Sequence, residues 1–108
     1  MRTYLLSVSY TPSGAAGLLE EGGTSRRATI DRLVEKLGGK AEAWYYAFGT
    51  DDLYVITSLP DDVAAAALSL RVAASGAARI DTTVLLTAEQ IDEATQAPVS
   101  YRSPGATA

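Results

Sequence analysis

Five aromatic side chains crowd one short stretch of the chain: Trp44, Tyr45, Tyr46 and Phe48, with Tyr54 just beyond them. Such a group can wall a pocket for a planar organic ligand, its phenol hydroxyls orienting that ligand and acting as acids. Aromatics also dominate cores and interfaces between copies, which is the plainer account of them. Within the same stretch, Asp51 and Asp52 set two adjacent carboxylates at a turn. Aspartate suits turns for local hydrogen bonding alone. A carboxylate partly buried beside Tyr54 would instead have its pKa pushed up and could serve as a general base. It would then need Tyr, Ser or Arg as a partner, because an unpaired buried charge is costly. Asp52, Tyr54 and Tyr45 are therefore the candidate catalytic residues. Ser7, Ser9, Arg26 and Trp44 are the candidate ligand-binding residues.

Arg26 belongs to Gly22-Gly23-Thr24-Ser25-Arg26-Arg27, which leads into an expected helix N-terminus. Free backbone N–H groups there attract anions. Two arginines at that end oppose the helix dipole and so want a reason. Pairing with Glu20 and Glu21 is one; a substrate carboxylate or phosphate is another. The segment lacks the P-loop pattern. Gly38-Gly39-Lys40 follows a helix rather than preceding one, the wrong end for phosphate.

The chain has neither cysteine nor histidine. That excludes disulfides, zinc fingers, iron–sulfur clusters, a cysteine nucleophile, a Ser–His–Asp triad and imidazole ligation. Catalysis would have to run on Asp, Glu, Tyr, Arg, Lys, Ser or Thr, or on a borrowed cofactor. No cofactor and no metal are expected. Thirteen acids against nine bases give a net charge of −4, with no basic run. Phosphate and anionic membranes call for a basic face, so nucleic-acid and membrane partners are not expected. No stretch has the length of a membrane span and the start lacks a signal-peptide core, so the expected location is the cytoplasm.

The elements that must position these residues follow from the hydrophobic pattern of a single domain of 108 residues. Thr3–Tyr10 alternates as a first strand, Leu6 and Val8 pointing one way and Leu5, Ser7 and Ser9 the other. Thr11–Gly23, punctuated by Pro12, Gly14, Gly17, Gly22 and Gly23, reads as a loop. Thr24 and Ser25 can cap a helix whose stripe is Ile30, Leu33, Val34 and Leu37, and Gly38-Gly39 stops it. Ala41–Phe48 and Leu53–Leu59 are two strands joined by a hairpin at Gly49–Asp52. A symmetric hairpin pairs Phe48 with Leu53, Tyr46 with Val55 and Trp44 with Thr57 on one face. It leaves Tyr45, Asp52, Tyr54, Ile56 and Ser58 on the other. Pro60-Asp61-Asp62 opens an alanine-rich second helix ended by Gly76. Arg79–Leu86 is the fourth strand. Thr87–Gln90 fits a capping box for a short third helix to about Ala94. The domain thus covers residues 1–95, and residues 96–108 form a flexible tail.

The order β–α–β–β–α–β describes a ferredoxin-like α+β sandwich with a short C-terminal helix. Two helices cover one face of its sheet. The other face keeps Leu5, Tyr45, Tyr54 and Ile56, whereas a face turned to water should alternate cleanly. The expected remedy is a homodimer packed sheet to sheet.

These residues resemble the GYD domain family of small bacterial and archaeal proteins. The resemblance is carried by Tyr10-Thr11 with Gly14, by Glu35–Lys40, by Trp44–Gly49, by Gly49-Thr50-Asp51-Asp52, and by Pro60-Asp61-Asp62 with its alanines. It covers about residues 3–94. Asp51 stands where the motif tyrosine is expected, and Asp52 keeps the aspartate. The resemblance implies a dimeric α+β barrel and carries little functional information. Three roles follow as expectations: a small-molecule-binding or regulatory homodimer taking an aromatic or carboxylate metabolite, a cofactor-independent oxygenase, isomerase or cyclase using Tyr and Asp, and an assembly subunit.

Overall fold

The alternation along the first segment produces strand β1, Arg2–Tyr10, whose even-numbered side chains Tyr4, Leu6 and Val8 are buried. A computed structural model describes residues 1–106. Six further elements complete the domain: helices α1 (Pro12–Glu21) and α2 (Gly23–Lys36), strands β2 (Lys40–Tyr46) and β3 (Leu53–Leu59), helix α3 (Asp62–Ala74) and strand β4 (Ala78–Leu85). Helix α4, Ala88–Thr95, follows. The four strands form one antiparallel sheet in the order β2-β3-β1-β4. This is the ferredoxin-like α+β arrangement.

Helices α2 and α3 pack on the even-numbered face of β1. Val34 from α2 and Ala64, Ala65 and Leu68 from α3 join Tyr4, Leu6, Val8, Trp44, Leu53, Val55 and Leu59 in one core. The alanines let α3 lie close to the sheet. Thr57, buried in this layer, donates its hydroxyl hydrogen to the Lys40 carbonyl at 3.0 Å, so its hydroxyl is satisfied. Helix α3 starts on Asp61, whose carboxylate accepts from Ala64 N–H at 2.9 Å. Tyr4 donates its hydroxyl hydrogen to Asp62 at 2.6 Å, tying the helix start to β1. That bond holds the Asp62 carboxyl below the usual carboxylate range. Among the described residues, no helix is long and apolar enough to cross a membrane.

Three expectations need correction. The segment after β1 is not a loop but helix α1. Thr11 caps it by accepting from Gly14 N–H at 3.2 Å, and Pro12 occupies the first turn. Gly14 is there for contact rather than for breaking: a Cβ on it would sit 1.9 Å from the Ala77 carbonyl oxygen. Gly22, at φ 85°, then turns the chain so that α2 begins at Gly23, without a side-chain cap from Thr24 or Ser25.

The hairpin pairing is also shifted by two residues. Tyr46 lies opposite Leu53 and Trp44 opposite Val55, and β2 ends at Tyr46. An even shift keeps the side chains of the paired residues on their expected faces. It leaves Phe48 outside the sheet and fully exposed.

Beyond β4 the chain leaves the body. α4 carries the full capping box between Thr87 and Gln90, yet it buries no residue. Residues 96–106 form neither helix nor strand and are exposed throughout. The last two residues of the expected tail lie outside the described residues.

Candidate functional site

The β1–β3 ladder ends at the pair Val8–Leu53. Past that point Asp52 takes over the bonding. Its N–H donates to the Val8 carbonyl and its own carbonyl accepts from Ala47 N–H, both at 2.8 Å. Its carboxylate accepts from Tyr10 N–H at 2.8 Å. Asp52 therefore closes the end of the sheet, satisfying a backbone donor that has run out of strand partners.

At this end of the sheet a cleft of about 620 Å3 opens between the α1–α2 elbow and the hairpin. Tyr10, Tyr46 and Phe48 supply its aromatic walls, Ala15 and Leu18 of α1 its roof, and Asp52 a carboxylate. The volume lies in the range of small-molecule sites. Thr11 pins the roof: its hydroxyl donates to the Gly76 carbonyl at 2.6 Å, and its N–H to the Ala77 carbonyl at 3.0 Å. Tyr46 pins the other end by donating its hydroxyl hydrogen to the Gly23 carbonyl at 3.0 Å.

Tyr10 also lines a second space, an apolar cavity of about 40 Å3 within the core, together with Arg26, Ile30, Trp44 and Leu68. Burial, aided by the neighbouring Tyr46, pushes the Tyr10 phenol up to about 12, against the opposing pull of Arg26. The phenol is neutral across the physiological range and available as a hydrogen-bond donor. Trp44 is 8% exposed, and its ring meets that of Tyr46 edge to face at 6.1 Å between centroids. Its Nε1 is buried with no acceptor among the described residues. The indole N–H can only donate. Arg26 does pair with an acid of the preceding helix, Glu21, at 3.4 Å, and Arg27 lies 3.7 Å from Asp31.

The candidate residues divide between the two faces of the sheet. Arg26, Trp44 and Asp52 belong to the helix side. Ser7, Ser9, Tyr45 and Tyr54 belong to the open side. The expected meeting of Asp52 with Tyr54 is corrected here: the carboxylate beside Tyr54 is that of Asp51. Tyr54 donates its hydroxyl hydrogen to one oxygen of Asp51 at 3.3 Å, and Ser9 donates to the other at 3.0 Å. The Asp51 charge, followed by burial, raises the Tyr54 phenol above its ordinary value. Tyr45 lies opposite Tyr54 across the β2–β3 pair and stands 72% exposed. Ser7 lies opposite Tyr54 on β3 and Asp81 on β4. Tyr46 and Phe48 belong to the aromatic group expected to wall a pocket, whereas Tyr10 and the α1 roof are not among the candidates named from the sequence. Only Thr11-Pro12, a cap followed by proline, signalled that a helix covers this end.

A ferredoxin-like sheet with an aromatic-walled cleft at one end, beneath a broken helix pair, defines the class: a small α+β protein of ferredoxin-like type. The sequence model of the GYD domain matches residues 4–95, and the chain belongs to the GYD domain family. No curated protein and no solved structure matches it.

Proposed function

We propose that this GYD-domain protein is a homodimer that binds a small aromatic metabolite bearing a carboxylate or similar acceptor group. The observation that carries the reading is the cleft of about 620 Å3, walled by Tyr10, Tyr46 and Phe48. Flat aromatic walls favour a flat ligand. The neutral Tyr10 phenol in the cleft wall can donate, and Arg26 and Trp44 line the small cavity behind it rather than the cleft itself, so the ligand end beside Tyr10 accepts. Asp52 at the cleft suits a ligand donor.

The homodimer is supported by the open side of the sheet. Tyr45 stands largely uncovered there, and Tyr54 and Ile56 are each more than a third exposed. A contiguous apolar patch of this kind marks an interaction surface.

The test is a thermal-shift screen of aromatic acids and related metabolites against the wild type and Ala15→Trp, which fills the cleft from its roof. A binder raises Tm in the wild type by several degrees and leaves the variant unmoved. A broad library without a single stabilising member overturns the reading, as does equal stabilisation of both proteins.

One observation favours catalysis as a second reading: Asp52 and Tyr10 face the same cleft, a carboxylate with a protonated phenol. In that reading Asp52 is the base and Tyr10 the acid. Incubating each binder with wild type and Asp52→Asn, and following its mass, decides it. Conversion by the wild type alone supports catalysis, and unchanged ligand leaves binding only.

A further inference from the structure

The chain past β4 is the part of the molecule that its own fold does not use. The radius of gyration is 17.6 Å and the long axis 61 Å against 31 and 22 Å. A compact domain of this length has a radius near ~13 Å. The excess comes from α4 and the residues after it, every one of them exposed as far as residue 106. Yet the segment carries large apolar side chains. Leu86, Ile91, Val99 and Tyr101 are large apolar residues, the last two 84% and 83% exposed. Helix α4 is started by a reciprocal capping box. Eight residues alone are too short to hold a helix in water, so such a helix needs a surface to lie on.

The open side of the sheet is another exposed apolar surface of the chain, and on its own it is too small for a stable pairing. Four strands at ~4.8 Å spacing and about seven residues at ~3.3 Å give a footprint of roughly 440 Å2. A standard interface takes ~800 Å2 from each partner. The arm can supply the difference. Helix α4 spans ~12 Å and the following eleven residues up to ~36 Å when extended, more than the ~19 Å width of the sheet.

From this we infer that the C-terminal arm, residues 86–106, is an exchange arm that packs on a second copy of the chain and completes the interface begun by the open sheet face. The inference rests on the homodimer reading given above. The two-fold relation between copies makes the exchange reciprocal, so each arm is covered once and each open face is flanked once.

Hydrogen exchange on the full-length chain at low and high micromolar concentration tests it, together with sedimentation of wild type, Ile91→Asp and Tyr101→Asp. Both substitutions fall at exposed positions of the isolated chain, and circular dichroism checks that each variant stays folded. Protection of residues 88–101 that grows with concentration, and a dimer dissociation constant raised about tenfold or more in each variant, support the exchange arm. A wild-type dimer whose arm exchanges freely, or whose variants associate as tightly, overturns the arm while leaving the dimer in place. Protection independent of concentration means that the arm folds on its own body and overturns the exchange. A wild type that sediments only as single chains overturns arm and dimer together.

Discussion

Tyr10 shows how much of this site depends on one phenol in an unusual setting. It ends β1, lends its N–H to Asp52 and divides the outer cleft from the inner cavity. Its folded pKa of about 12 lies above the ordinary tyrosine value near 10, chiefly through burial. A raised pKa means that the folded state holds the proton more tightly than the unfolded one. The associated stability is complete below pH ~10 and is lost as pH rises toward ~12. Tyr10→Phe should therefore lose less stability than the wild type over that window, in denaturant titrations at stepped alkaline pH. Equal slopes would show that Tyr10 is not held protonated. Residues such as this were hard to find by reading along the chain. Asp51 and Asp52 differ by one position, and one position inverts the face of a strand. Which of the two meets Tyr54 depends on where the β1–β3 ladder stops, a long-range fact that the turn alone does not contain.

At the scale of the elements, what is set locally was legible and what is set by distant contact was not. Strand β3 carries its whole pattern in its own residues, and its bounds, Leu53–Leu59, match the reading of the sequence. The capping box at Thr87–Gln90 is likewise complete within four residues. Helix α1 is the opposite case. Its proline and glycines look like loop punctuation until Ala77, far along the chain, is seen pressed against Gly14. Gly14→Ala tests that explanation. Alanine is the better helix former, so propensity alone predicts a gain. The clash with a backbone carbonyl predicts a loss of roughly 2–3 kcal/mol, with the cleft roof displaced. Chemical denaturation separates the two by sign. A stabilised variant would mean that α1 sits farther from the α3–β4 turn.

For the molecule as a whole, the sheet divides two kinds of surface. The helix side holds the core and the cleft. The open side holds the apolar patch and the Ser9–Asp51–Tyr54 cluster. Ile56, which pairs with Leu5 in the centre of that open side, is the place to probe it. Ile56→Asp should leave the monomer folded, since the position is already partly wet. It should also weaken self-association by tenfold or more at micromolar concentration, read by sedimentation. Undiminished association would place the contact elsewhere. The division into two sides is legible from alternation alone, whereas the cleft is legible only in its aromatic wall, because the segment that roofs it reads as loop. The chain's single tryptophan stands on the helix side, against the inner cavity and edge-on to Tyr46. With excitation at the red edge, where tyrosine no longer absorbs, the intrinsic fluorescence of this protein therefore comes from one indole at one address. A guest that reaches the inner space will shift or quench that emission without any label, and one that stays on the outside will leave the spectrum unchanged.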